Sequence, residues 1–503
     1  MSANAPDKTR RFIVLPALNN FNARASTQSV RMSRTFAQIA SRPKRRGELI
    51  DVPGLASLPG GAIRIVERID REASVVEISE AQRLALTALY PGLIVRPEVR
   101  LRMMRASPLR AHIQNTRLPI RTVVKRLAVS VVDGAGQPVK GVDIVVVFNL
   151  GRRNGVQDLT TDERGSVETA LPTRLNAIEL VTANTLSGYW PAVVRNIDVS
   201  VPGTTSIVLT LVPIDPGHAD ALDQILPAPR VGGTGAGVRI AVIDSGISGP
   251  PGARIVNGKN TTATEDEALC DDNGLGHGTH VAGIIARLAP DAEIYNYRVF
   301  EEGAEDAGEA AIARAISAAV GDNCDLINLS LGQDTEAISI TRELRRARAL
   351  GAVCVAAVGN DFGGAVAFPA WSDHVLGITA AGHDASWPAS TARDLDIAAA
   401  PVAIGPVFFA AFSNYGEEVD YMMPGSGIIS WVSPTGTGVM SGTSMAAPAA
   451  TGMLARLLSN NAILLDANTP RDQARSDAIV ALAGAACTQV GFTSDYEGRG
   501  VIG

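Results

Sequence analysis

The sequence predicts an α/β fold for residues 238–503: a parallel sheet covered by helices on both faces, preceded by a small α+β domain and a β-sandwich. Three observations carry this prediction. Beyond Val238, strand-like apolar runs alternate with Ala-rich helical segments: Val238–Ile243, His280–Leu288, Ala292–Arg298, Glu309–Val320, Asp325–Leu329, Thr341–Leu350 and Val353–Ala357. Strands alternating with helices build parallel sheets. Over residues 126–213, short strands such as Leu127–Val132 and Val142–Phe148 are separated by the turns Asp133–Pro138 and Asp162–Gly165, the pattern of a small antiparallel sandwich. Over residues 62–103 the chain reads as strand, helix, strand. Ala62–Ile69 and Leu93–Met103 alternate, while Ser79–Tyr90 places apolar residues at helical spacing.

The remaining divisions follow from composition. Residues 1–48 carry ten Lys or Arg against Asp7 and Glu48. A basic head of this kind reads as a solvated tail or as a segment docked on an acidic neighbour, with Arg11–Leu18 as a possible strand. A nucleic-acid or anionic-lipid partner is the weaker reading. The α+β domain is bounded at 49–110 and the sandwich at 126–213. Residues 214–237 contain Pro216, Pro227, Pro229 and the run Gly232–Gly237, a linker by composition.

At 503 residues, 46% hydrophobic and 19% charged, the chain has the make-up of a multidomain globular protein. No stretch reads as a spanning helix. The sixteen uncharged residues Ile397–Phe412 are broken by Pro401, Gly405 and Pro406. No export signal is evident, because the apolar run Phe12–Leu18 is short and contains Pro16. Cys270, Cys324, Cys354 and Cys487 show neither a disulfide framework nor metal-ligand spacing. A reducing, cytoplasmic setting is therefore expected.

Amide hydrolysis by a serine hydroxyl needs a base, a carboxylate to hold the base, and donors for the oxyanion. Arg239–Gly246 is a buried strand ending in Asp244 and a turn, and strand ends are where α/β sheets place their sites. Gly276–Gly283 starts a helix with His277, and Ser441–Pro448 starts another at Ser444. Taken singly, each has a plainer explanation. The Asp suits a turn, the Ser suits a helix cap, and His277 with His280 could ligate a metal, although no third ligand cluster accompanies them. The chain order Asp, His, Ser is one of the known triad orders. An α/β-hydrolase would need a His after the Ser, and no His lies beyond His383.

Ala241–Gly246, His277–Gly283 and Gly442–Pro448 together resemble the three signature blocks of the subtilases, the subtilisin-like serine proteases. The resemblance covers residues 238–503 and implies a serine endopeptidase acting on proteins or peptides, with no cofactor. It implies the triad Asp244, His277 and Ser444. Ala357–Asn360 matches the family's oxyanion turn, which makes Asn360 the donor. Substrate is then expected along Ser330, Leu331 and Gly332, in a pocket walled by Ala357, Gly359 and Ala367. Ala367 stands where a glycine is common, which implies a slightly smaller pocket. Asp361 and the acidic run Glu301–Asp306 imply a preference for basic or neutral substrate residues. His280 is expected to be a structural hydrogen-bonder.

Departures from the pattern are also informative. The calcium loop that often follows the His helix is missing, since Ala286–Pro290 runs straight on, so no metal is expected. The acidic cluster Glu265, Asp266, Glu267, Asp271 and Asp272 reads as solvated. Residues 382–411 look like an insertion. Residues 11–103 resemble the family's inhibitory propeptide, with Pro97–Met104 as the tail that enters the site. That resemblance implies a self-inhibited zymogen, with three readings open: cleavage near Met103–Ser107, cleavage in 214–237, or no cleavage. The stretch 131–147 with Thr161–Gly165 resembles the carboxypeptidase-regulatory-like sandwich and implies no function.

Overall fold

A computed structural model describes residues 9–16, 34, 49–51, 62–104, 125–149, 154–226 and 228–503. Most of the basic head and the segment 105–124, with part of the expected cleavage region, lie outside these residues. Among the described residues no helix is long and apolar enough to cross a membrane.

The first unit is a five-stranded antiparallel sheet, order β2-β3-β4-β1-β5, built from β1 (Arg10–Pro16), β2 (Leu49–Asp51), β3 (Ala62–Arg68), β4 (Ser74–Ile78) and β5 (Leu93–Pro97). Helix α1 (Glu80–Leu89) starts at a capping box formed by Ser79 and Gln82. The apolar run of β1 is explained by burial on both faces. Phe12 and Val14 pack with Leu86 of α1, whereas Ile13 and Leu15 pack against the C-terminal domain. The expected strand at 62–69 is β3, and a further strand, β4, follows it before the helix. The expected single strand Leu93–Met103 divides, at Pro97. Proline lacks the N–H that a ladder needs, so β5 ends there and β6 (Arg100–Met103) joins a different sheet.

The second unit packs a sheet of β10 (Ser166–Ala170), β7 (Lys125–Val132) and β13 (Gly203–Thr210) on one of β12 (Ala192–Asp198), β11 (Ala177–Asn184), β8 (Asp143–Asn149) and β9 (Asn154–Thr160). Leu127, Val129, Ile144, Val146 and Ile178 fill its core. It is not wholly antiparallel: β13 crosses from the second sheet and pairs with β7 in parallel. The stretch expected as linker holds a short helix, α2 (Ala221–Ile225), capped by Asp220. Arg287 pairs with Asp220 at 2.7 Å, and Leu222 enters the catalytic-domain core. This segment is packed, not free.

The third unit is the expected α/β fold. Its sheet runs β15 (Arg254–Asn260), β16 (Glu293–Arg298), β14 (Arg239–Asp244), β18 (Leu326–Leu329), β20 (Val353–Ala357), β21 (Val375–His383) and β22 (Val407–Phe409), with β23 (Tyr421–Pro424) also on β21. The pairs are parallel except β22, which is antiparallel to β21. The sheet is therefore mixed, mostly parallel. Helices α3 (His277–Leu288) and α6 (Thr443–Ser459) lie on one face. Helices α4 (Glu309–Gly321) and α5 (Ile338–Ala349) lie on the other. The apolar run 397–412 enters the core only at its end: Phe408, Phe409, Ala410 and Phe412 are buried, whereas Ala399, Ala400, Val402 and Ala403 are exposed.

Candidate active site

Three elements deliver the predicted side chains to one place. Asp244 closes β14, His277 opens α3, and Ser444 lies in the first turn of α6. All three are fully buried. Asp244 Oδ1 is 2.7 Å from His277 Nδ1 and also accepts the Ser245 N–H at 2.7 Å. The approach of α3 to β14 depends on Gly278, because a Cβ there would stand 2.2 Å from the Gly246 carbonyl oxygen. His277 Nε2 has no hydrogen-bond partner. The Ser444 hydroxyl instead donates to the Ser330 carbonyl at 3.0 Å, and the Ser330 hydroxyl donates to the Ser444 carbonyl at 2.9 Å.

Asn360 is held from behind. Its Oδ1 accepts the Thr443 N–H at 2.9 Å and the Thr443 hydroxyl at 3.0 Å. This leaves Nδ2 to donate forward to the Met104 carbonyl oxygen. The same oxygen accepts the Ser444 N–H at 3.2 Å. A carbonyl on these two donors is polarised where an oxyanion would form.

Met104 arrives at the end of β6. That strand lies between β17 (Asp306–Gly308) and β19 (Leu331–Gly332), antiparallel to both, so of the acidic run 301–306 it is Asp306 that pairs beside it. Met104 N–H donates to the Ser330 carbonyl at 3.1 Å. The Met104 side chain is buried in one cluster with Ala357 and Ala367. A Cβ on Gly332 would meet Met104 Cε at 2.7 Å, so glycine there makes room for the side chain. Gly359 sits beside the pocket, its N–H donating to the Thr443 hydroxyl at 3.2 Å. Leu101 is buried against α4, and Arg100 pairs with Asp306 at 2.8 Å.

His280 is 3.1 Å from the Ile428 carbonyl through Nε2, away from the reacting groups. The acidic cluster is less solvated than its composition suggests. Glu265 pairs with buried Arg298 at 3.0 Å. Asp272 accepts the Gly276 N–H at 2.6 Å and the Ser245 hydroxyl at 2.8 Å, and burial pushes its carboxyl above the ordinary range. Among the described residues no group of three or more His, Cys, Asp or Glu is placed to hold a metal ion.

A family model described as the subtilase family matches residues 235–485. Subtilisin Savinase of Lederbergia lenta is 30% identical over 248 residues, 47% of this chain and 82% of that protein. The chain belongs to the subtilase family. Subtilisin E of Bacillus subtilis (strain 168) is 33% identical over 287 residues, 54% of this chain and 65% of that protein. Alkaline elastase YaB of Bacillus sp. (strain YaB) is 32% identical over 240 residues, 46% of this chain and 56% of that protein. The chain thus spans between about half and two thirds of the length of most of these curated relatives. Within this subtilase, motif spacing pointed to Asp244, His277, Ser444 and Asn360 but not to Thr443, Ser245 or Asp272. Those three act through contacts between segments distant in sequence, and the adjacency of Thr443 to Ser444 and of Ser245 to Asp244 offered a hint for two of them.

Proposed function

We propose that this subtilase is a serine endopeptidase that hydrolyses protein substrates through an acyl-enzyme and is made as a self-inhibited zymogen that cuts itself after Met104. One observation carries the reading: the Met104 carbonyl oxygen rests on the two donors, Asn360 Nδ2 and Ser444 N–H, at the end of a strand paired like an extended substrate.

In this reading Ser444 is the nucleophile, His277 the base and Asp244 the group that orients it. The Ser444 hydroxyl turns from the Ser330 carbonyl to His277 Nε2, gives up its proton there and attacks the carbonyl carbon of residue 104. Asn360 and the Ser444 N–H hold the developing oxyanion. His277 returns the proton to the leaving amine, and water releases the acyl group by the same path. Substrates are expected to present an apolar, Met-like side chain before the cut bond and an apolar residue three places earlier, where Leu101 is buried.

The N-terminal unit serves as the intramolecular inhibitor. Its β1 and β4 pack on α4 and α5 through Ile13, Leu15 and Val75. Arg314 pairs with Glu67 at 2.7 Å, and Arg342 pairs with Asp70. These contacts outlast the covalent link, so the severed unit remains seated until it is displaced or digested. Four unpaired thiols suit a reducing compartment.

A fluorophosphonate probe tests the activity. Labelling of the wild type that is lost in Ser444→Ala is expected. No labelling of a chain from which residues 1–104 have been removed, but which remains folded, would reject the reading.

A further inference from the structure

The segment 384–411 is absorbed by none of the roles above, yet its one fully buried carboxylate reaches the turn that carries the nucleophile. Asp396 is 2% exposed. Its Oδ2 accepts the Ser441 hydroxyl at 2.5 Å and the Ser426 hydroxyl at 2.8 Å. The Ser441 hydroxyl in turn accepts the Gly427 N–H at 2.9 Å. Ser426 and Gly427 precede β24 (Ile428–Trp431), and Ser441 follows β25 (Thr437–Met440). One carboxylate therefore ties together both ends of this hairpin. Ser441 is three residues before Ser444, and Gly442 between them donates its N–H to the Gly425 carbonyl at 2.8 Å.

The same network runs outward to the sandwich. Trp387 Nε1 donates to the Ser426 hydroxyl at 3.2 Å. Its ring lies 5.1 Å from that of Trp190, a sandwich residue that is 1% exposed. His218 contacts both sides: its ring is 5.2 Å from Trp190, and its Nε2 is 2.8 Å from the Ser386 carbonyl. The Ala392 N–H donates to the Pro191 carbonyl at 2.9 Å.

We infer that Asp396 is a positioning residue for catalysis, fixing the Ser441–Ser444 turn so that the nucleophile and its N–H donor keep their alignment, with Trp190 of the β-sandwich seating the segment that carries it. The inference rests on the proposed hydrolase reading. A buried carboxylate is costly to keep, and burial pushes this one up to about 6. Retaining it here trades stability for a fixed turn, and small displacements of reacting groups are expensive, about a hundredfold for 1 Å. The sandwich is thereby a working part of the enzyme rather than an appendage.

The test compares full-length wild type, Asp396→Ala, Asp396→Asn, Ser441→Ala and Trp190→Ala after self-processing, using a p-nitroanilide of the tail sequence Leu-Arg-Met-Met. Asp396→Ala and Ser441→Ala are expected to lower kcat about 10- to 100-fold with KM little changed. Asp396→Asn, which keeps one acceptor oxygen, should recover part of the loss, and Trp190→Ala should fall in the same direction by less. Hydrogen exchange over residues 441–445, a readout independent of turnover, should quicken in Asp396→Ala. Unchanged exchange and unchanged kcat in folded Asp396→Ala or Ser441→Ala, or a loss confined to KM, would overturn the inference. A wild type with no turnover rejects the hydrolase reading instead, and the exchange measurement then still decides the role of Asp396. If Asp396→Ala does not fold, Ser441→Ala carries both measurements.

Discussion

The carbonyl oxygen of Met104 accepts the backbone N–H of Ser444 at 3.2 Å, which sets the Met104 carbonyl group beside Ser444. Wild-type protein should therefore yield a new N-terminus at Arg105, and Ser444→Ala should not. N-terminal mass spectrometry of both proteins checks this. A cut confined to 214–237 would contradict it.

Asn360 Nδ2 is the side-chain donor to that same oxygen. Asn360→Ala should lower kcat about 10²- to 10³-fold and leave KM nearly unchanged, as expected when a donor acts mainly in the transition state. Steady-state kinetics on the processed enzyme provide the measurement.

The Met104 side chain is accommodated over Gly332, where an added Cβ would stand 2.7 Å from Met104 Cε and 2.7 Å from the Phe368 carbonyl oxygen. Gly332→Val should close the pocket and shift cleavage from Met towards Ala or Gly before the cut bond. A peptide library read by mass spectrometry would show this, and an unchanged preference for Met would refute it.

Glu98 and Glu309 meet where the tail enters the cleft. Glu98 pairs with Arg11 at 2.7 Å, and Glu309 Oε2 accepts the Ser339 hydroxyl at 3.0 Å while Oε1 faces the Val99 N–H. Glu67, Arg100 and Arg314 also face Glu98. Burial pushes both carboxyls from their ordinary value of 4.5 up to about 7. Docked Glu98 thus holds a proton that it gives up on release, whereas Glu309 stays on α4 beside Ser339. The contribution of Glu98 to docking is complete below pH 4.5 and is lost as pH rises through about 7, by up to about tenfold in affinity per pH unit. After self-cleavage, size-exclusion chromatography should retain residues 1–104 on the protease at pH 5 and release more of them at pH 8. Glu98→Gln, uncharged throughout, should keep them bound at the higher pH.

Arg287 reaches Asp220 at 2.7 Å, pairs with Asp223 and donates to the Ile429 carbonyl at 3.4 Å. Asp220 is fully buried. Arg287→Ala leaves that carboxylate with only the Leu222 and Ile429 N–H groups and should cost about 3 kcal/mol, at the low end for breaking a buried pair because those donors remain and the arginine is partly exposed. Urea denaturation measures it.

Sequence alone determined the α/β alternation beyond Val238, the three subtilase blocks and the oxyanion turn. These are local patterns, and their chemistry forces residue types into short fixed spacings: an Asp at a strand end, a His and a Ser in first helical turns, an Asn after Gly359. Tertiary structure decided everything that joins distant segments. It split 93–103 at Pro97 and sent β6 into the cleft, and it paired β13 with β7 in parallel. It placed a short packed helix, Ala221–Ile225, anchored by Arg287 through Asp220, within the Pro- and Gly-rich stretch 214–237. It also set Asp396 beneath the nucleophile turn, 45 residues away along the chain from Ser441. A buried carboxylate is stable only where donors converge on it, and that convergence comes from the fold rather than from any spacing.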